Sequence, residues 1–165
     1  MKKIILAAIA VMAFGFANAQ EQIAKGKWLV EANTGFGVGN IGGTSFAFST
    51  SDGETSWNIG AEGGYFVADK LAVKVGLGYG DNGHDDAFAY KIGGKYYIVN
   101  KFPVEISYTS QTMKVYPTLA FVGLQGGYAW FVSKNISVEP GVRYNIGLNN
   151  YSDDFQLNVG FALHF

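Results

Sequence analysis

The sequence predicts an all-β fold, an eight-stranded antiparallel up-and-down barrel, and three observations carry this prediction. The C-terminal segment, Phe155 to Phe165, alternates apolar side chains with polar or small ones, which is the period of a β-strand. A hairpin-like segment recurs three times along the chain. Glycine occurs 23 times and aromatic residues make up 16% of the chain, a composition typical of strands and turns.

Residues 1–19 are predicted to be a cleaved secretory signal peptide. An apolar run follows Lys2 and Lys3, and residues 17–19 read Ala-Asn-Ala, which fits the A-x-A cleavage pattern. The alternative is an N-terminal membrane anchor, but the run is shorter than the ~20 residues that a spanning helix needs. Residues 20–165 are then expected to form one barrel domain.

Charge and cysteine content exclude several classes of protein. The formal net charge is −1 and becomes more negative when Lys2 and Lys3 leave with the signal peptide, so there is no electrostatic case for nucleic-acid binding. The chain has no cysteine. An exported domain of this kind must therefore hold together without disulfides and without a lipid anchor on cysteine.

The repeated segments predict the number of strands. Segments 64–73, 95–104 and 129–138 each contain an aromatic pair, a branched aliphatic residue and a three-residue connection with a lysine, followed by renewed alternation. Three short hairpin turns join six strands. The alternating regions 28–38 and 155–165 bring the count to eight.

The other connections are longer and lie at the opposite end. They are residues 39–54, 81–86, 111–115 and 149–153, and they hold most of the aspartates, whereas the short turns carry Lys70, Lys101 and Lys134. Short turns at one end and longer loops at the other are typical of barrels in bacterial outer membranes.

Alternation alone fits two opposite arrangements, a membrane barrel and a soluble, lipocalin-like carrier with an apolar interior. One phase of the strands is aliphatic and aromatic, and the other interleaves glycines with charged residues. Small and long charged side chains suit the narrow lumen of a small barrel, and the apolar phase suits lipid with aromatic rims. The predicted rim residues are Trp28, Trp57, Tyr65, Tyr79, Tyr90, Tyr96, Tyr108, Tyr128, Trp130 and Tyr144.

Equal numbers of acids and cations point into the predicted lumen. They are Glu31, Glu62, Glu105 and Glu139 with Lys74, Lys91, Lys95 and Arg143. Three-residue turns place Lys95 opposite Glu105 and Glu62 diagonal to Lys74, so we expect an ion-paired network that plugs the lumen. In the alternative, the same charges line a narrow water-filled path.

Other patterns carry little weight. Glycines between residues 37 and 42 match a dinucleotide fingerprint, but no helix pattern follows. His84 lies among aspartates, yet the spacing matches no calcium loop. Pro140 is expected to cause a local irregularity with Gly141, since it cannot donate a ladder hydrogen bond. No catalytic, cofactor or metal site is predicted.

Phe46 and Phe48 alternate with small residues in the first long connection. This segment is expected either to extend the first hairpin as an apolar ribbon, which another protein can join, or to remain a flexible loop.

With these features the chain resembles the small outer-membrane β-barrel proteins of Gram-negative bacteria, of the OmpX and OmpA transmembrane-domain type, a porin-like group. The resemblance rests on the signal peptide, the repeated hairpins and the terminal strand. It implies a location in the outer membrane and contact with lipid and lipopolysaccharide. It also implies that Phe161, Leu163 and Phe165 are read by the barrel-assembly machinery.

The expected function is that of a non-enzymatic integral membrane protein that supports the envelope or presents loops to a surface ligand or protein. The alternative is a small-molecule carrier or a narrow pore. A carrier needs a continuous apolar cavity and a pore needs an open wet one.

Overall fold

Ten strands form one sheet in the computed structural model, and all of its pairings are antiparallel except a short parallel one between β1 and β2. The structure describes residues 21–37, 44–51, 54–81, 86–113, 118–149 and 151–165. The strands are β1 (Trp28–Gly37), β2 (Ser45–Ser51), β3 (Glu54–Ala68), β4 (Leu71–Asp81), β5 (Asp86–Ile98), β6 (Phe102–Met113), β7 (Leu119–Gly127), β8 (Trp130–Ser133), β9 (Ile136–Gly147) and β10 (Asp154–His164).

The wall is closed because β10 pairs with both β9 and β1. The order β10-β1-β2-β3-β4-β5-β6-β7-β9 contains nine strands, and β8 lies outside it. The predicted count of eight was therefore wrong, for two local reasons. Part of the first long connection forms β2, and β8 is a separate strand in line with β7 along the same edge of β9.

β2 occupies only one end of the gap between β1 and β3. At the short-turn end, which carries the three tight turns, β1 pairs directly with β3 from Trp28 opposite Tyr65 to Glu31 opposite Glu62. Nearer the loop end, which carries the longer connections, β2 pairs with β3 and touches β1 at two positions. The segment is therefore a strand and not the flexible loop of the second expectation, but it is inserted into the wall between β1 and β3 and does not extend the hairpin of these two strands as the expected ribbon.

The three tight turns differ from one another. Ile98 pairs with Phe102 across three residues, as predicted, and Val99 and Asn100 have positive φ. The other two turns have two residues, because Ala68 pairs with Leu71 and Ser133 with Ile136. A bulge before each of these turns absorbs the extra residue and restores the expected pairing within the strands.

Pro140 disturbs the neighbouring strand and leaves its own strand continuous. Its carbonyl accepts a hydrogen bond from the Tyr128 amide at 3.0 Å, so its missing N–H faces the same edge. The gap between β7 and β8, at residues 128 and 129, lies along that edge. The expected irregularity is present, but it falls opposite the proline.

Side chains alternate strictly between the two faces of the wall. Along β4 every second residue from Leu71 to Tyr79 is exposed, and those between them are buried. The outer face is aliphatic and aromatic, and the inner face holds glycines and charges. Among the residues described, no helix is long and apolar enough to cross a bilayer.

Several sequence motifs lie wholly or partly outside the described residues. These are the signal peptide at 1–19, the glycine motif beyond Gly37, and the loop with His84.

Candidate functional site in the barrel lumen

The eight inward charges predicted from the sequence are all buried. They come from six strands around the ring: Glu31 on β1, Glu62 on β3, Lys74 on β4, Lys91 and Lys95 on β5, Glu105 on β6, and Glu139 and Arg143 on β9. Because every second residue of these strands points inward, the same alternation that creates the apolar outer face brings the charges together.

Lys74 is the centre of the network. Its Nζ lies 3.0 Å from Glu31 Oε2, 2.7 Å from Glu62 Oε2 and 2.7 Å from Glu105 Oε2, and its side chain is 1% exposed. The ammonium donates hydrogen bonds to Glu31 and Glu105, whereas its contact with Glu62 is an ion pair without a hydrogen bond. Lys91 bridges two of the same acids, Glu62 at 2.8 Å and Glu105 at 2.7 Å.

Lys95 links strands that are not neighbours in the wall. Its Nζ lies 2.7 Å from Glu31 on β1 and 2.5 Å from Glu139 on β9, although Lys95 itself is on β5. Lys95 and Glu105 are directly opposite each other in the β5–β6 register. These cross-barrel contacts lie in the lumen, in the path that a solute would take.

Arg143 closes the loop side of the network. Its guanidinium donates to Asn145 Oδ1 at 2.7 Å, Ser107 Oγ at 2.8 Å and Glu105 Oε1 at 3.2 Å. The planar group passes over Gly123 on β7, where an added Cβ would overlap it. Glycine is needed at this position because the guanidinium approaches the backbone closely.

Thr44 also enters the lumen, and sequence reasoning did not single it out. It is buried immediately before β2, and its hydroxyl donates to Glu62 Oε1 at 2.8 Å. Its side chain packs against Gly76, where a Cβ would lie 3.0 Å from Thr44 Cγ2. Residue 44 of the first long connection therefore lies inside the lumen, immediately before β2 pairs with β3.

An aromatic layer fills the lumen at the short-turn end, and it too was missed. Phe66, Tyr97 and Phe131 are buried there with His164, whose ring centroid lies 5.2 Å from that of Phe131 and 6.3 Å from that of Tyr97. The signal was present in the aromatic pairs of the repeat. In each pair the first ring points outward, so the second must point inward.

Polar contacts join this layer to the charges. Tyr97 donates to Glu139 Oε1 at 2.9 Å, and the Ser137 hydroxyl lies 2.9 Å from both Glu139 Oε1 and His164 Nε2. A serine beside a histidine resembles part of a hydrolase site, but both are fully buried and no substrate reaches them. No group of three or more His, Cys, Asp or Glu suited to a metal ion occurs in the described part of the chain.

The outer wall carries the predicted rim residues. Nine of them are exposed on the outside, and Tyr128 is half-buried. Trp28 pairs with Tyr65 at a ring distance of 5.0 Å, and Trp57 pairs with Tyr79 at 6.0 Å. Trp57 and Tyr65 are eight steps apart on β3, or roughly 26 Å along a strand at about 3.3 Å per residue. The nine residues from Trp57 to Tyr65 agree with the roughly 9–11 residues that a tilted strand needs to cross a bilayer.

The C-terminal strand, β10, closes the barrel by pairing with β1. Phe161, Leu163 and Phe165 are exposed on the outer face, and Phe165 exchanges backbone hydrogen bonds with Trp28 at 3.0 and 3.1 Å. The aromatic terminus therefore lies beside the first residue of β1.

Comparisons with solved structures place this architecture among known folds. The N-terminal β-barrel domain of Pseudomonas aeruginosa OprF is similar over 86% of this chain and 98% of its own, with 10% identity and a TM-score of 0.56. A de novo designed transmembrane β-barrel is similar over 86% and 97%, with 16% identity and a TM-score of 0.53. Neisserial surface protein A is similar over 86% of this chain and 98% of its own, with 16% identity and a TM-score of 0.47.

The chain therefore has the fold of the small outer-membrane β-barrels. This confirms the closed β-barrel that the resemblance implied, although not the predicted count of eight strands. No family model and no curated protein matches the chain.

Proposed function

We propose that the protein is a non-enzymatic integral protein of the bacterial outer membrane whose barrel is closed to solutes and whose loops are presented at the cell surface. One observation carries this proposal: the two faces of the wall are inverted relative to a soluble barrel. Exposed aliphatic and aromatic side chains cover the outside of every strand, and the buried interior is ionic. A bilayer accepts such a surface, since closure satisfies the backbone within the protein.

The filled lumen supports a structural role over transport. Charges from β1, β5 and β9 meet across the interior, and the aromatic layer lies beneath them. A carrier needs an apolar cavity for its ligand, and the interior instead contains ion pairs. Single-channel recording of the refolded barrel in a planar bilayer is expected to give no stable conductance. A large, steady conductance would contradict the closed lumen.

Location and folding are tested together in the cell envelope. The folded barrel is expected to fractionate with the outer membrane and to migrate faster on a gel without heating than after boiling. Recovery in the soluble periplasmic fraction, with no change of mobility on heating, would favour the carrier.

The terminal strand supports a role for Phe161, Leu163 and Phe165 in recognition by the barrel-assembly machinery. Removal of the Phe165 side chain, in Phe165→Ala, is expected to lower the amount of assembled barrel in cells while the purified chain still refolds in detergent. Equal assembly of the variant and the parent chain would remove this part of the proposal. Phe102→Ala, an exposed ring at a short turn, is the matched control.

The loop end supports surface contact. Phe46 and Phe48 are exposed on β2, at 54% and 68%, and β2 lies nearer the loop end of the wall. We place the lipopolysaccharide contact and any protein contact at this end. Surface biotinylation of lysines introduced at Asn149 or Ser152 in whole cells tests which end faces outward.

A further inference from the structure

The described chain begins with a strap, residues 21–27, that folds back into the short-turn end of the barrel. Ile23 is 1% exposed and Gln22 is 7% exposed, although they precede the first strand. Residues at the start of a domain are usually poorly ordered unless something holds them. Here the side chain of Ile23 belongs to the buried cluster of the barrel itself.

The seat of Ile23 is built from strands all around the ring. Its cluster contains Leu29 of β1, Phe66 of β3, Ala72 of β4, Tyr97 of β5, Phe131 of β8 and Ala162 of β10, with Ala129 between β7 and β8. No single hairpin contains more than a part of this set. The seat is therefore complete only when the wall has closed between β10 and β1.

Backbone hydrogen bonds fix the strap in one register. The Ile23 carbonyl accepts from the Lys70 amide at 2.7 Å, the Gly26 amide donates to the Phe66 carbonyl at 2.9 Å, and the Lys25 amide donates to Asp69 Oδ1 at 2.9 Å. Gly26 has φ of +91°, which lets the chain turn from the seat into β1. The strap itself is compact, since residues 21 and 22 are helical and residues 23–26 form turns and a bend. Main-chain hydrogen bonds thus hold a turned segment against the barrel, and the buried cluster takes its one branched side chain.

We propose that the short-turn end of the barrel contains a peptide-binding seat for a short turned segment with a branched aliphatic side chain. The strap of the same chain fills this seat once the barrel has closed. The strap thereby seals the aromatic layer from water at this end. It is a site distinct from the ionic network, which lies deeper in the lumen.

The test uses the full chain with Ile23→Asp, and Glu21→Ala as the matched control on an exposed strap residue. Trypsin is expected to cut after Lys25 and Lys27 about tenfold faster or more in Ile23→Asp, since burying an Ile side chain is worth at least a factor of ten in an equilibrium. The control is expected to resist like the parent chain. Equal resistance of Ile23→Asp and the parent chain would overturn the proposal.

A second measurement distinguishes a seat from a general loss of structure. A fluorescent peptide of residues 20–27 is expected to bind the Ile23→Asp barrel, and the same peptide with Asp in place of Ile23 is expected not to bind. The parent barrel is expected to bind little, because a short tether keeps its own strap at an effective concentration on the order of millimolar. If both peptides bind alike, or neither binds, the seat is refuted.

Should Ile23→Asp fail to fold, Ile23→Ala replaces it with hydrogen exchange as the readout. The amides of Gly26 and Lys70 are then expected to exchange about tenfold faster than in the parent, while the Ile92 amide, midway along β5 and outside the seat, is unchanged. Uniform acceleration at all three amides would mean that the strap is only part of the general fold.

Discussion

The inner and outer faces of the barrel wall belong to the same strands and carry opposite chemistry. On β4, Lys74 at the centre of the ionic network is adjacent to Val73 and Val75, which are exposed on the outside. A soluble domain buries the valines and exposes the lysine. This inversion of the usual burial pattern means that the stability of the barrel depends on ion pairs in its interior and on lipid around its outer face.

The largest expected effect comes from the centre of the inner face. Lys74→Met leaves three carboxylates without their common cation, and loss of one partner of a buried ion pair costs about 3–5 kcal/mol. We expect the free energy of unfolding in urea, followed by tryptophan fluorescence in lipid vesicles, to fall by this amount. Lys134→Met, at an exposed turn, is the control and is expected to change it by less than about 0.5 kcal/mol.

A double variant tests the cause of this loss of stability. Without Lys74, four buried carboxylates share three cations. If the cost of Lys74→Met arises from this excess of buried negative charge, then adding Glu31→Gln is expected to recover part of it, because one negative charge is removed. A double variant that is less stable than the single one by a full further increment would show that the two residues act independently.

The next largest effect is expected on the outer face. Leu77 lies midway along β4 and is 61% exposed on the outside, so Leu77→Arg places a charge near the middle of the bilayer. The expected loss in free energy of unfolding is about 2–4 kcal/mol in lipid vesicles. Phe102→Arg, at the short-turn end, is expected to cost about 0–1 kcal/mol. Equal costs at both positions would mean that the outer face does not cross the membrane core.

Two glycines on β7 allow a smaller comparison between the inner and outer faces. Gly123→Val is expected to destabilise the barrel by about 1–3 kcal/mol, because its side chain would overlap the Arg143 guanidinium. Gly126→Val on the same strand is the matched control, since an added Cβ there meets nothing within 4 Å. The control is expected to be neutral or slightly stabilising, as valine favours strands. The same urea titration measures both.

Much of this arrangement follows from the sequence by physical rules. A period of two fixes which residues share a face, so the charged set and the rim set follow once one phase is assigned to lipid. The same rule, applied to the aromatic pair at Tyr96 and Tyr97, predicts that the ring of Tyr97 points into the lumen. The pattern at Phe46 and Phe48 identifies a strand, and its presence changes the strand count.

Other features depend on contacts that no local pattern contains. The insertion of β2 between β1 and β3 brings Thr44 to Glu62 inside the lumen, a contact between residues 18 apart in the chain. The two-residue turns at Asp69 and Lys134 differ from the expected three-residue ones through a single bulge each, which sequence spacing does not distinguish. The strap seat is formed by residues from six strands, so it exists only in the closed fold.

The smallest effect is expected at a group that belongs to neither face. Asp153, in the connection between β9 and β10, accepts a hydrogen bond from the Tyr144 hydroxyl at 2.6 Å and one from the Gly147 amide at 3.0 Å. The first bond, more than the second, holds the pKa of Asp153 below its usual value of 3.8. Because the folded state lowers this pKa, the carboxylate supports the connection above the usual value, and the support is lost as the pH falls through the lowered pKa.

The amide proton of Gly147 is the reporter for this connection. Its NMR chemical shift is expected to move on acidification with a midpoint below that of an ordinary aspartate, while the barrel stays folded. Asp153→Asn is expected to abolish the titration and to leave the urea midpoint of the barrel unchanged, because the group is exposed and screened by water. A fall in the urea midpoint comparable to that of Gly123→Val would mean that the loop end contributes to the stability of the wall.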